Sequence, residues 1–202
     1  MSGIKGIRQQ TNNRFLNCFE LEAVHRDGGV SPYYVASRAK NIGALKAVTH
    51  ENNPDGVILY GIYGKQRDRV VLIRQYRYSL GDYLYEFPAG LVENGEEMTQ
   101  AGIREMFEET GLTFTPVEAG SFSRPFFTTA GMTDESCAML FGYCAGTPTS
   151  ANEEASEEIQ VILADRAEAK RILREENVAL MCAYMLMHFI ASPGDPLAFI
   201  KE

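Results

Sequence analysis

The 202-residue sequence has no tryptophan, three histidines and four cysteines. The cysteines form no C-x-x-C pair and the histidines are isolated, so neither a zinc site, a disulfide framework nor a histidine triad is indicated. We predict buried, reduced thiols, as is usual for cysteines with apolar neighbours. The cysteines are Cys18, Cys137, Cys144 and Cys182, and the histidines are His25, His50 and His188.

Long apolar runs are missing too. No stretch approaches the roughly 20 apolar residues of a membrane-spanning helix. The N-terminus, MSGIKGIRQQTNN, lacks the apolar core of a signal peptide. We therefore expect a cytoplasmic protein with no membrane partner.

Positive charge is scarce, with 19 basic against 27 acidic side chains and a net charge of −8. A nucleic-acid backbone requires a basic footprint, so nucleic acid is not expected as a partner. A small phosphorylated ligand bridged by a cation is compatible with this charge. With 45% hydrophobic residues, the chain can bury a sizeable core.

Strand-like segments dominate the first part of the chain. Residues 15–25 and 33–39 flank the turn RDGGVSP and predict a hairpin. After a polar stretch near residue 50 come two more strands, VILYGIYG and RVVLIRQYR. We predict a small β subdomain over residues 1–50 and a main domain over residues 51–202.

The main domain mixes helices and strands. Helices are predicted over residues 96–110, 166–175 and 177–190, and strands near residues 115–123, 137–144 and 158–164. The fold class is therefore α/β (α+β), with an α/β/α sandwich as the specific expectation. In the first helix, Asn94 and Glu97 are placed as a capping box and Gly111 as a left-handed stop.

That helix ends in REMFEETG, with three carboxylates where the helix dipole disfavours negative charge. Glu105, Glu108 and Glu109 fall in one sector of roughly 100°. An outward acidic face is expected, opposite Ile103, Met106, Phe107 and Thr110; on the acidic side, Ala101 and Gly102 leave room for a close approach.

A solvated acidic surface is the simplest interpretation of this face. It leaves a cost of about 0.3–1 kcal/mol for each carboxylate near the helix end, with no lysine nearby to compensate. A divalent cation reverses the sign of each of these interactions. Clustered carboxylates supply the oxygen ligands that Mg²⁺ or Mn²⁺ prefers.

The spacing from Gly90 through Glu96, Arg104-Glu105 and Glu108-Glu109 to Gly111-Leu112 fits G-x5-E-x7-R-E-U-x-E-E-x-G-U at every fixed position. It resembles the Nudix box. The resemblance implies a strand-loop-helix motif that binds Mg²⁺ and hydrolyses a nucleoside diphosphate linked to another group. It implies that Glu105, Glu108 and Glu109 are metal ligands and that Glu108 is also a catalytic candidate. It further implies that Arg104 orients the acids and that Glu96 has a structural role.

The flanks resemble the ADP-ribose and ADP-sugar pyrophosphatase branch of that family, which has a Q-x-R like Gln75-Tyr76-Arg77 and an E-x-P-A-G like Glu86 to Gly90. The resemblance implies that Arg77 holds a substrate phosphate, as suits a guanidinium. It also implies that Glu86 lies near the diphosphate and that the Ala89 carbonyl binds a metal. The alternative for Arg77 is an ordinary surface position on a strand.

After the box, this branch carries a proline-glycine pair followed by a glutamate. Here Gly131 and Glu135 are kept as substrate-binding candidates, but Ala130 replaces the proline. Substrates other than ADP-ribose, such as GDP-mannose, therefore stay in consideration. With ADP-ribose, the products would be AMP and ribose 5-phosphate.

An acidic loop, GTPTSANEEASEE, precedes the strand at residue 159. In relatives of this branch a glutamate here takes a proton from the attacking water or binds a metal. Glu157 is the best placed, and Glu154 and Glu158 are its rivals. A disordered acidic loop is the alternative.

The N-terminal β unit is too small to hold a core alone, and the branch commonly dimerises through it, so we expect a homodimer. Tyr33, Tyr34 or Phe19 would then stack on a base, with a core role as the alternative for each. Two other functions share the box. One is a housecleaning nucleoside triphosphate hydrolase, and the other is a sensor that binds ADP-ribose without cleaving it.

Overall fold

The structure is a computed structural model that describes residues 1–149, 151 and 158–201. It contains two compact units, residues 1–55 with 125–137, and residues 56–124 with the chain from 138 onward. The strands are β1 (Gly3–Gln9), β2 (Asn17–Val24), β3 (Val30–Ser37), β4 (Gly56–Tyr63), β5 (Arg69–Arg77), β6 (Asp82–Glu86), β7 (Ala89–Leu91), β8 (Thr113–Val117), β9 (Pro125–Phe127), β10 (Ser136–Ala145) and β11 (Ile159–Ala164). The α-helices are α1 (Lys46–Thr49), α2 (Met98–Thr110), α3 (Arg166–Glu175) and α4 (Leu180–Ala191).

The first unit is built on an antiparallel sheet in the order β1-β2-β3. The predicted β2–β3 hairpin is confirmed, with Leu21 opposite Tyr33. Strand β1 was not predicted, because most of its side chains are exposed and it shows no apolar alternation. Its pairing with β2 holds it in place. Phe19, Leu21 and Leu45 form the buried core of this unit.

Polar contacts tie residues 125–137 into the first unit. The Lys46 ammonium donates to the Asp55 carboxylate at 2.7 Å and to the Ser136 hydroxyl at 2.5 Å. The Ala36 amide donates to the Met132 carbonyl at 2.9 Å. The bonds to Ser136 and Met132 join segments far apart in sequence, which explains why local patterns could not assign residues 125–137 to this unit.

The second unit contains a β-sheet with the strand order β11-β5-β4-β10-β8. In addition, β6 pairs with β5, and β7 pairs with β4. Helix α2 covers one face, where Met106 packs with Val57 and Leu59 of β4. On the other face, the Tyr60 ring meets the His188 ring of α4 edge-on at 6.5 Å. The predicted α/β/α sandwich is therefore confirmed.

The ends of two helices differ from the prediction. Helix α2 begins at Met98, and its N-cap Glu97 makes no side-chain cap bond, so the predicted capping box is wrong. The chain turns instead at Gly95, which has a φ of +84°, and the Glu96 amide donates to the Glu93 carbonyl. The predicted left-handed stop is confirmed, because Gly111 has a φ of 69°.

Helix α4 begins at Leu180 rather than at residue 177. Before it, the Tyr85 amide donates to the Asn177 carbonyl and the Ala179 amide donates to the Tyr85 carbonyl, both in ladder fashion. Pairing with β6 thus keeps residues 177–179 extended. The strand predicted over residues 115–123 ends at Val117, and a short 3-10 turn occupies Gly120–Ser123.

The four cysteines are free; Cys144 and Cys182 are buried, and Cys18 and Cys137 are partly buried. The prediction of reduced thiols is confirmed, and full burial holds for two of them. Burial raises the pKa of Cys144 to about 12. Within the described ranges, no helix is both long and apolar enough to cross a membrane.

Candidate active site

The last turn of α2 faces the short strand β7. Glu109 is 3% exposed, and its carboxylate accepts the Ala89 amide hydrogen at 3.0 Å. The prediction that all three acids point outward is therefore wrong for Glu109. It is also wrong for Phe107, which is 53% exposed although it was expected in the core. The helix is rotated so that its acidic sector meets the sheet.

Gly90 provides the space for a second carboxylate. A Cβ added at Gly90 would lie 1.8 Å from the Glu105 carboxyl carbon. Gly90 pairs with Val57 of β4, and this strand pairing fixes the position of the glycine backbone. Glu105 and Glu109 therefore both reach β7. The sequence pattern contains this glycine but does not show what fills the space beside it.

Arg104 connects the carboxylates of the cluster. Its guanidinium contacts Glu96 through Nε and Nη2 at 3.0 Å, Glu105 through Nη1 at 2.7 Å and Glu108 through Nη1 at 3.0 Å. The Leu91 carbonyl accepts a further bond from Nη2 at 3.1 Å. The hydrogen bond to Glu96, ahead of those to the other acids, raises the pKa of Arg104. The same bond, with a bond from the Glu93 amide, lowers the pKa of Glu96.

Arg104, which the resemblance predicts to orient the acids, thus supplies the positive charge that the helix-dipole argument left out. It binds Glu105 directly and Glu108 one helical turn on. Arg104 partly relieves the repulsion between the carboxylates at the end of the helix before any metal binds. The repulsion by itself therefore does not require a metal.

The small residues at the start of the acidic side serve packing. A Cβ at Gly102 would lie 2.5 Å from Leu140 Cδ1 and 2.9 Å from Leu59 Cδ2. Ala101 is likewise fully buried. The group that approaches the helix closely at these residues is therefore the β-sheet, through Leu59 and Leu140.

The chemistry of the cluster suits a hard divalent cation. Across the described residues, no group of three or more histidine, cysteine, aspartate or glutamate side chains is already arranged to hold a metal ion. Mg²⁺ does not require such a cage, because it binds through one or two carboxylates together with waters and substrate phosphates. Glu105 and Glu109 meet this requirement at β7. Glu108 is more exposed, with a side-chain exposure of 45%.

Arg77 and Glu86 form an ion pair in the second unit. Arg77 Nε donates to the Glu86 carboxylate at 2.5 Å, and the side chains are 40% and 14% exposed. The pair lies on the hairpin of β5 and β6, which leads directly into β7. The chain therefore brings a guanidinium to the strand that precedes the carboxylate cluster.

Glu158 makes its hydrogen bond on the side of β5 opposite α2. The Tyr83 hydroxyl donates to its carboxylate, and this bond is the largest contribution that raises the pKa of Tyr83. Tyr83 pairs with Tyr76, on the face of β5 opposite Ile73 and Val71. The other candidates from the acidic loop, Glu154 and Glu157, lie outside the described residues.

The remaining candidates lie in the first unit. Glu135 accepts two bonds from Arg38, at 3.2 and 3.1 Å, and Gly131 accepts the Tyr33 hydroxyl hydrogen at 2.8 Å. Phe19 is fully buried in the core, which favours the core alternative over base stacking. Tyr34 is 56% exposed. The substrate-binding roles of Gly131 and Glu135 stay predictions.

The second unit thus combines an α/β/α sandwich with a strand-loop-helix motif that gathers carboxylates around an arginine. Residues 52–181 match the family model of the NUDIX domain. The chain belongs to the Nudix family.

Three curated relatives carry names of hydrolases, two of them pyrophosphatases. The chain is similar to "Putative nudix hydrolase 2" of Caenorhabditis elegans, 34% identical over 62% of this chain and 60% of the relative. It is similar to "ADP-ribose pyrophosphatase" of Escherichia coli strain K12, 30% identical over 55% and 56% of the two chains. It is also similar to "ADP-sugar pyrophosphatase" of Mus musculus, 50% identical over 21% and 19%. The chain therefore spans 60% or less of the length of these relatives.

A solved structure supports the fold. The chain is similar to "Crystal structure of ADP compounds hydrolase", with a TM-score of 0.68 over 94% of this chain and 92% of that one. At 15% identity, this likeness concerns the fold alone.

Proposed function

We propose that this protein hydrolyses the diphosphate bond of a nucleoside diphosphate sugar, with ADP-ribose as the favoured substrate and AMP and ribose 5-phosphate as products. The observation that carries the proposal is the convergence of Glu105 and Glu109 on β7. The pyrophosphatase names of the relatives support the substrate class.

The cofactor in this proposal is Mg²⁺, with Mn²⁺ as a substitute, held by Glu105, Glu108, Glu109 and the Ala89 carbonyl. When bound, such an ion neutralises phosphate charge and lowers the pKa of a coordinated water. Glu109 is fixed by the Ala89 amide, and Glu105 and Glu108 are oriented by Arg104. The chain thus holds its carboxylates in place before substrate arrives.

The substrate diphosphate is bound by Arg77. A guanidinium offers a planar pair of donors that matches two phosphate oxygens. In the free protein, Glu86 forms an ion pair with Arg77 and so restricts the position of the guanidinium. We propose that Glu86 lies beside the diphosphate when Arg77 binds phosphate instead. We propose Gly131 and Glu135 as contacts to the rest of the substrate.

A carboxylate is needed to accept the proton of the attacking water. We propose Glu157 on its place in the sequence, before β11, with Glu108 as the candidate within the helix. Glu158 is the weaker candidate, because it already accepts the Tyr83 hydroxyl hydrogen.

The protein is proposed to act as a homodimer assembled through the first unit. Supporting this, the unit has a small core and leaves many large apolar side chains exposed, namely Ile4, Phe15, Leu16, Val30, Tyr33, Tyr34, Phe126, Phe127 and Met132. Such a surface favours association. A light-scattering mass near that of one 22.5 kDa chain would contradict the proposal.

The activity is tested with a substrate panel of ADP-ribose, ADP-glucose, GDP-mannose and 8-oxo-dGTP, each with Mg²⁺. Released phosphomonoester is measured with a coupled phosphatase. We expect ADP-ribose to be cleaved fastest, and Glu109→Gln to abolish turnover while the fold is retained. Glu118→Gln is the matched control, because Glu118 is exposed and outside the cluster. Binding of ADP-ribose with no cleavage would support the sensor alternative and overturn the proposal.

A further inference from the structure

Gln75 is a polar residue at an apolar place in the sheet. It is 5% exposed, and its Oε1 is buried with no hydrogen-bond donor in reach among the described residues. Val71 and Ile73, earlier on the same strand, are fully buried and apolar. An acceptor buried without a donor destabilises the folded protein, because it has lost its hydrogen bonds to water. Such an atom therefore requires an explanation.

The strand register shows which face carries Gln75. On β5 and β6, Ile73 lies opposite Glu86 and Gln75 opposite Leu84, with no break in the register. Side chains alternate along a strand, so Ile73, Gln75 and Arg77 share one face. Val71 belongs to the same alternation and packs in the core cluster with Met106 of α2. Gln75 therefore lies on the face that bears the carboxylate cluster.

The Arg77 side chain runs back along this face. Its Nε reaches Glu86, which lies opposite Ile73, four residues before Arg77. The path between these two points leads past Gln75. Gln75 therefore lies along the course of a side chain that carries five N–H donors.

We propose that Gln75 is a positioning residue for Arg77. When Arg77 leaves Glu86 to grip a substrate phosphate, one guanidinium N–H donates to Gln75 Oε1. This inference rests on the proposed function, because it assumes that Arg77 binds phosphate.

An amide suits this task better than a carboxylate or an apolar side chain. A bidentate grip on phosphate occupies two donors of the guanidinium and leaves others to be satisfied. A neutral acceptor satisfies one of them without placing another negative charge beside a diphosphate. The cost of the unsatisfied oxygen in the free protein is then recovered on binding, which stabilises the bound position of Arg77.

The test replaces Gln75 with methionine, which has a similar volume and no amide. We expect the Kd of α,β-methylene ADP-ribose, measured by calorimetry with Mg²⁺, to rise about tenfold or more, as for the loss of a hydrogen bond to a charged group. The KM for ADP-ribose should rise in parallel. The Tm should stay level or increase, because a buried unsatisfied acceptor has been removed. Leu84→Met, across the strand pair, is the matched control and should leave Kd unchanged.

A double-mutant cycle separates positioning from a general packing effect. In an Arg77→Ala background, Gln75→Met should not raise Kd further, because the group on which it acts is gone. Wild-type turnover together with an unchanged Kd in Gln75→Met overturns this inference alone. An additive rise of Kd in the Arg77→Ala background also overturns it. A wild-type protein that cleaves no member of the panel overturns the proposed function and this inference with it.

Discussion

Gly90 and Glu105 are in contact across the loop between β7 and α2, and a single methyl group at Gly90 would occupy the place of the Glu105 carboxylate. The backbone of Gly90 has no positive φ, so the glycine is required by its neighbour and not by its own conformation. The space at this position is therefore part of the site.

Gly90→Ala should displace Glu105 while leaving the fold intact. Because a misplacement of about 1 Å can cost about 100-fold in rate, we expect kcat/KM for ADP-ribose to fall by about that factor. The Mg²⁺ concentration for half-maximal activity should rise. Gly194→Ala is the control, because a Cβ there meets nothing within 4 Å. Unchanged Mg²⁺ dependence in Gly90→Ala would show that Glu105 is not a metal ligand.

Gly102→Ala should destabilise the second unit. Alanine gains about 1 kcal/mol over glycine in a helix interior. The new methyl group, however, would lie 2.5 Å from Leu140 Cδ1 and 2.9 Å from Leu59 Cδ2. Overpacking of this kind costs about 1–3 kcal/mol, so we expect a net decrease in the free energy of unfolding in urea. Adding Leu140→Val should restore part of the lost free energy of unfolding. A Gly102→Ala variant more stable than the wild type would contradict the close packing of Gly102 against Leu140 and Leu59.

The Glu96–Arg104 pair should make stability depend on pH in acid. The folded-state pKa of Glu96 lies below its ordinary value of 4.5, chiefly because of Arg104. The ionised form is thus favoured in the folded state. The stabilisation is present above the ordinary pKa and is lost as pH falls through the lower folded value. We expect the Tm difference between wild type and Glu96→Gln to shrink as pH is lowered from 6 to 3, and a constant difference would argue against the pair.

Three of the thiols are shielded from solvent, Cys144 and Cys182 fully and Cys137 in part. Burial raises the pKa of Cys137 to about 11 and that of Cys144 to about 12, and it also raises the pKa of Cys182. Since the thiolate is the reactive form, these three cysteines should react slowly with DTNB at pH 8. All four thiols should react in urea. Rapid reaction of any of the three remaining thiols in the native Cys18→Ser variant would contradict this prediction.

The sequence predicts the C-terminal end of helix α2 well because the stop signal at Gly111 is local, whereas the predicted start signal is wrong. Gly111 ends α2 as expected, and Met106 is buried. The burial of Glu109 and the exposure of Phe107 could not be predicted, because they depend on how β7 meets the helix. A helical wheel shows which residues share a face but not which face meets the sheet.

Other parts of the molecule depend on contacts distant in sequence. Strand β1 exists through its pairing with β2 and has little pattern of its own. Residues 125–137 join the first unit through bonds such as that between Lys46 and Ser136. The Arg77–Glu86 ion pair and the burial of the Gln75 oxygen likewise depend on the register between β5 and β6. That register could not be predicted from the sequence.

Arg104 also bears on how the protein behaves when metal is scarce. Its guanidinium bonds three acidic side chains, Glu96, Glu105 and Glu108, so the cluster carries a built-in counter-ion. We therefore expect the chain to fold without a bound cation. Protein treated with EDTA should keep its protease resistance and, under the proposed function, should regain activity when the cation returns.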